Sequence, residues 1–352
     1  MRRIFTYSAM TFSPSEKIFV NFQLKYICGN FVFVSEPENA DFIVGTGSKF
    51  VDWVSLNHNL YTEVKFILFK PHLEIDIRLK SKKIWDAVKS TINRIFLSIL
   101  NIEREGLLEK LRSFDLVVAD NQRLFRTLRN GGVNVVYLPL IYFEKMRVCA
   151  PIKNYNYIKI AVFGEATHLS DLIKELLKLD RLIMKETVEI IYFGYGPLDI
   201  RNLQNKLKNL KISKRDFSFN FEELCERTND ISFSICSHRL IESDYFKKSI
   251  FKSLNQPNEV FTVEKFSSNT GRNHLSALLG LPFITHNLEE IFVEFPWLSY
   301  DYVFEGAEDL LWFIKNCEKL CENFIIKNQT FESTKKILNA SMEKSKIMLG
   351  IN

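Results

Sequence analysis

Cysteine is scarce, with six residues in 352, at positions 28, 149, 225, 236, 317 and 321. So few thiols in so long a chain do not build a disulfide framework. Cys317 and Cys321 lie one helical turn apart, but no second pair completes a zinc site. All six read as reduced thiols of a cytoplasmic protein. Long apolar runs are missing too, and none approaches the ~20 residues of a transmembrane helix. Met1-Arg2-Arg3 leads into Ile4–Phe12, which Thr6, Tyr7 and Ser8 interrupt, so the start reads as a first β-strand rather than a signal peptide. Neither an internal repeat nor a low-complexity tract is present. No stacking-aromatic motif or recognition-helix pattern points to nucleic acid. No carboxylate cluster demands a metal, and no cofactor is expected.

What is present is ordinary for a folded chain: 46% apolar and 25% charged residues in 41.3 kDa. The length suggests two domains. The net charge of +5 is unevenly spread. Residues 1–150 carry 21 Lys+Arg against 15 Asp+Glu, and the remainder 26 against 27. The basic half suits an anionic lipid or a phosphorylated substrate.

In the first half, short Val-, Ile- and Phe-rich segments alternate with longer helical stretches. Strands are expected at Arg3–Tyr7, Phe31–Val34, Phe42–Val44, Lys65–Phe69, Leu116–Ala119 and Val133–Leu138, with helices over 81–112 and 121–130. The second half restarts the pattern. Strands are expected at Tyr157–Phe163, Val188–Phe193, Phe217–Asn220, Ile231–Cys236, Pro282–His286 and Tyr302–Phe304, and helices over 168–184, 199–210, 243–254, 272–279, 307–324 and 332–349. Such alternation defines an α/β chain of two Rossmann-like, doubly wound domains. The boundaries are 1–141, a linker at 142–156, 157–330, and a closing helix at 331–352 packed back on the first domain. Ligands of such sheets bind outside the carboxyl ends of the strands, and two such sheets facing across a cleft suit a two-substrate reaction.

The strongest local signal is Ser268-Asn269-Thr270-Gly271-Arg272-Asn273-His274, followed by Leu275–Leu279 and Gly280-Leu281-Pro282. It reads as loop, helix, then strand. Helix-opening amides at Thr270 and Gly271 suit a phosphate, and Arg272 and His274 add donors. Gly164-Glu165 and Gly194-Tyr195-Gly196 each follow a strand, and Gly-x-Gly lets backbone approach a nucleotide. His238 and Arg239 follow Ile231–Cys236. In the first half, Gly45-Thr46-Gly47-Ser48-Lys49 can cradle an anion, with Lys49 as counter-charge. It lacks the spacing of a nucleotide P-loop. Asp120-Asn121 reads as a helix N-cap. Tyr7-Ser8 closes the first strand, and His72 follows the fourth.

The 269–282 segment resembles the donor-phosphate loop of GT-B glycosyltransferases. In the heptosyltransferase-type pattern D-[TS]-G-x-x-H-x-x-A-x-x-G-x-P, Asn269-Thr270-Gly271, His274, Gly280 and Pro282 fall in register, with Ala277 close by for the alanine. Asn269 replaces the acidic residue, and the Gly-Asp that opens that family after the first strand is absent. Aligned instead with the retaining GT-B family that carries two glutamates eight positions apart, Ser268 and Ser276 occupy the glutamate positions.

The resemblance implies a metal-independent glycosyltransferase of surface polysaccharide or glycoconjugate synthesis. The second domain would bind a nucleotide-sugar through Gly164, Glu165, Gly194, Tyr195, Gly196, His238, Arg239 and Asn269–His274. The first would hold a glycan or lipid-linked acceptor near Tyr7, Ser8, Gly47, Ser48 and Lys49, with His72 as the catalytic cleft histidine. The basic, apolar-faced stretch 78–112 would then contact the inner face of a membrane. Two alternatives stand beside this: a sugar-nucleotide epimerase of the same fold, and a non-catalytic relative that binds glycan or membrane.

Overall fold

A computed structural model describes residues 1–7, 14–69, 106–139, 143, 145–147, 156–164, 168–169, 172–183, 187–194, 200–237, 270–287 and 289–351. The described residues fall into two compact units. The first draws on Met1–Leu138 and Ile337–Asn352, the second on Pro139–Arg239 and Asn269–Lys336.

In the first unit, six strands pair in parallel in the order β2-β1-β3-β4-β5-β6. They are β1 (Arg2–Thr6), β2 (Phe31–Phe33), β3 (Phe42–Thr46), β4 (Lys65–Phe69), β5 (Leu116–Ala119) and β6 (Val135–Tyr137). Helices Pro14–Cys28, Gly47–Asn57 and Gln122–Asn130 connect them. β3 and β5 are buried along their whole length, as parallel strands covered on both faces must be. Asn121 caps its helix by accepting from the Leu124 amide at 2.8 Å, the role expected of Asp120-Asn121. The strand order reverses between β1 and β3, so this sheet's switch point lies at Tyr7 and Gly47.

The second unit holds five parallel strands in the order β11-β10-β7-β8-β9. They are β7 (Tyr157–Phe163), β8 (Thr187–Phe193), β9 (Lys211–Arg215), β10 (Phe233–Cys236) and β11 (Phe283–Thr285). Helix Ile173–Leu182 buries Leu176 and Leu179 against this sheet, where a 3.6-residue period places one face. The order reverses between β7 and β10.

Several expected elements differ. The strand expected at Phe217–Asn220 is instead Lys211–Arg215, a polar edge strand registered on β8. Phe217 and Phe219 pair their rings at 5.0 Å in the following turn. Pairing with a neighbour overrides β-propensity here. The expected strand at Tyr302–Phe304 is a 3-10 turn at Tyr300–Tyr302 with one bridge, Thr285 to Val303. The helix expected over 307–324 breaks at Asn316, whose side chain donates to Trp312 O at 2.8 Å. The helix expected over 199–210 ends at Gln204, because the Gln204 side chain turns to accept from the Ile212 amide at 2.6 Å. The helices at Pro14–Cys28, Gly47–Asn57 and Phe221–Arg227 have no counterpart in the expected set.

The closing helix Thr330–Leu349 has its second half in the first unit. There Ser341 Oγ donates to Tyr137 O at 2.5 Å and Lys344 Nζ to Val135 O at 3.2 Å.

Candidate functional site

The site is built from the switch point of the second sheet, where Gly164 ends β7 and Ser237 ends β10. Gly164 has φ +114°, a conformation that only glycine adopts at little cost. A Cβ there would press into the His168 ring and lie 3.5 Å from Arg272 Cδ. Gly194, at the end of β8, is equally constrained. A Cβ on it would overlap the Tyr192 hydroxyl and Gly164 O. Backbone therefore packs on backbone at the carboxyl edge, where a ligand approaches an open α/β sheet.

Arg272 comes to this edge from the first turn of helix Gly271–Leu278. It is only 8% exposed. Its guanidinium donates to Ser237 O and, at 3.3 Å, to Ser237 Oγ. Ser237 Oγ in turn donates to His168 O at 2.9 Å. A cation is thus locked beside the β7 turn at a helix N-terminus, where the first amides have no acceptor within the helix and the dipole is positive.

Behind Arg272 the helix is anchored at both ends. Gly280, with φ +68°, closes it with bonds from Gly280 N to Ala277 O at 3.0 Å and Leu281 N to Ser276 O at 2.9 Å, a Schellman arrangement. Asn328 Nδ2 and Arg147 N donate to Ala277 O and Leu278 O at 3.0 and 2.8 Å. At the front end, Thr270 donates to Glu294 Oε2. The same oxygen lies 2.9 Å from His274 Nε2, and His274 Nδ1 lies 3.4 Å from Thr334 Oγ1. The side chains of His274 and Glu294 are 2% and 0% exposed. The ring that the sequence offers as a phosphate donor therefore has protein groups at both nitrogens.

Ser276, at one of the retaining family's glutamate positions, is buried. It donates to Arg272 O at 2.8 Å and accepts from Ser234 Oγ at 2.7 Å. Burial raises the Cys236 thiol above its ordinary range, so it is no ready nucleophile.

The structure brings Gly164, Gly194, Thr270, Gly271, Arg272, Asn273 and His274 into the second unit. In the first unit it places Tyr7, Gly47 and Lys49 at the β1/β3 switch point. The Tyr7 ring lies 5.3 Å from Phe50 and 5.2 Å from Trp53, Gly47 opens its helix with φ +76°, and Lys49 is exposed. Gly45 is glycine because its Cβ would stand 2.6 Å from the Phe50 ring. Ser8, His72, Glu165, Tyr195, Gly196, His238, Arg239 and Asn269 lie outside the described residues, as do the Ser48 side chain and most of 78–112. Sequence reasoning missed His168, Ser237, Glu294 and Thr334. Ser237 lies between the expected strand Ile231–Cys236 and His238, but no local pattern marks the other three.

Among the described residues, no group of three or more His, Cys, Asp or Glu is placed to hold a metal ion, and no helix is long and apolar enough to cross a membrane.

No family model and no curated protein matches this chain. Solved structures do. A mutant of S. aureus TarM, in complex with Fondaparinux, alpha-GlcNAc-glycerol and UDP, is 9% identical with TM-score 0.50, covering 88% of this chain and 55% of that one. S. aureus MnaA with UDP is 10% identical at TM-score 0.49, covering 96% and 95%. The lipopolysaccharide outer core galactosyltransferase WaaB is 9% identical at TM-score 0.49, covering 98% of each. The chain spans about half the length of TarM. The likeness is one of fold: two Rossmann-like α/β units.

Proposed function

We propose that this chain is a glycosyltransferase that transfers a sugar from a nucleotide-sugar to a glycan or lipid-linked acceptor. The observation that carries the reading is Arg272, a buried cation held by Ser237 at the switch point of the second sheet, in the first turn of a helix. In the proposed reaction the glycosidic bond between sugar and diphosphate breaks and negative charge grows on the leaving phosphate oxygens. Fixed helix-terminal dipoles and a preorganised guanidinium stabilise that charge more in the transition state than in the ground state. Gly164 lets the β7 turn close against His168 and Arg272 without a side chain between them. Tyr7, Gly47 and Lys49 are the proposed acceptor-side groups, and His72 the proposed proton acceptor.

The test is a thermal-shift panel of UDP-, GDP-, ADP-, dTDP- and CMP-sugars. A ligand at 100 times its dissociation constant adds roughly 2.7 kcal/mol to the folded state, which moves the melting point visibly. No shift from any of the five sinks the donor reading. For a ligand that does shift it, release of free nucleotide that depends on added acceptor supports transfer. Isomerised sugar-nucleotide formed without acceptor assigns the chain to the epimerase class instead.

A further inference from the structure

We infer that Glu294 is a positioning residue for the donor loop: a buried carboxylate that fixes the first turn of helix Gly271–Leu278 so that Arg272 meets the donor phosphate. This deepens the proposed donor reading and rests on it.

The argument begins with an expensive group. A carboxylate with no exposed side-chain surface pays a large desolvation penalty unless hydrogen bonds compensate it. Glu294 sits in helix Glu289–Glu294, after β11, and both partners of its Oε2 belong to the 270–274 turn. Its Oε1 has no hydrogen-bond partner among the described residues. An apolar side chain would be cheaper here if the only need were a filled core. A buried acid aimed at one turn restrains the geometry of that turn instead.

The pull has a direction. Thr270 precedes Arg272 by two residues and His274 follows it by two, and one oxygen engages both side chains. These bonds hold the turn from behind, while Ser237 holds the guanidinium from the sheet side. Thr334 fixes the far nitrogen of His274, and the His274 ring lies 4.7 Å from that of Phe295. Arg272 therefore stands on a turn restrained from two directions, which is how binding groups are kept preorganised.

The experiment compares Glu294→Met, which fills the volume without an acceptor, with Glu294→Gln, which restores one. Tyr302→Phe serves as the destabilised control. It removes a buried bond to Leu320 O of 2.9 Å, at a ring that packs on Phe313 and Phe324. UDP affinity is measured by calorimetry, and amide hydrogen exchange of the 270–276 peptide by mass spectrometry. We expect E294M to weaken UDP binding at least tenfold and to speed exchange at 270–276. E294Q should recover binding to within about threefold of wild type, and Y302F should change neither. UDP binding by E294M equal to wild type, or E294Q no better than E294M, overturns the inference. Should E294M fail to fold, Thr334→Val carries the test from the far side of His274. A twofold or larger loss of affinity is expected there, and none overturns it. If wild type ignores UDP and every other nucleotide tried, the donor reading falls. The exchange data then stand apart from it: unchanged protection in E294M removes the anchoring role as well.

Discussion

The Tyr192 hydroxyl donates to the Gly164 carbonyl at 3.0 Å, across the space where residue 194 would carry a side chain. That bond ties the ends of β7 and β8 together at the edge where the donor is proposed to bind. It makes glycine at 194 a packing requirement, independent of any ligand.

Gly194→Ala should therefore destabilise the chain with or without nucleotide. Its methyl would overlap both the hydroxyl and the carbonyl, and overpacking of this kind costs about 1–3 kcal/mol. Urea denaturation gives the number. A midpoint equal to wild type would show that the β7 and β8 ends part easily.

Arg272→Lys separates charge from geometry. Lysine keeps the cation but cannot bridge Ser237 O and Oγ as the planar fork does. Affinity for the nucleotide-sugar found in the panel should fall tenfold or more by calorimetry. Full affinity in the lysine variant would mean that a point charge suffices and that the anchored fork is irrelevant to binding.

Stability should fall in acid partly through Asp230. Hydrogen bonds from Arg215 at 2.6 and 2.7 Å, joined by Lys159 at 2.5 Å, pull its carboxyl well below the ordinary range against the opposing effect of burial. An unfolded aspartate titrates near ~3.9. The folded value is depressed, so the stabilisation is complete above that pH and drains away as pH falls towards the folded value. The side chain is 42% exposed, so solvent screening limits the effect to about 1 kcal/mol. Asp230→Asn should lower the urea midpoint at pH 7 and narrow its difference from the midpoint at pH 3. An undiminished difference would assign the acid limb to other groups.

Ser341→Ala removes the bond from the closing helix to Tyr137 O. The carbonyl of an edge strand loses a partner, at about 1 kcal/mol. Denaturant melts followed by a probe in the first unit should register the loss. If they do not, Lys344, whose Nζ reaches Val135 O at 3.2 Å, holds the helix by itself.

The layered α/β plan was legible because parallel strands covered on both faces need unbroken apolar runs. Ile160–Phe163 and Ile190–Phe193 are such runs and form the carboxyl halves of β7 and β8. The helix at 221–227 was hidden because its cap, Asn220, looked like the end of a strand. The polar edge strand at 211–215 was hidden because only its pairing to β8 makes it a strand. Gly47–Asn57 was hidden by a Gly-Thr-Gly-Ser opening that reads as a loop until Phe50 and Trp53 pack against Tyr7.

The amino-acid order by itself determined the class of fold, the N-cap at Asn121, and the helix-opening turn that carries Arg272 and closes at Gly280. These depend on neighbours within a few residues, through period, capping and the freedom of glycine. The tertiary structure alone decided that β10 lies beside β7, which brings Ser237 to Arg272 at the edge that Gly164 shapes. It alone set Glu294, twenty residues downstream, beneath His274. Strand order and the burial of a charge follow from long-range packing free energy, and no local spacing encodes that sum.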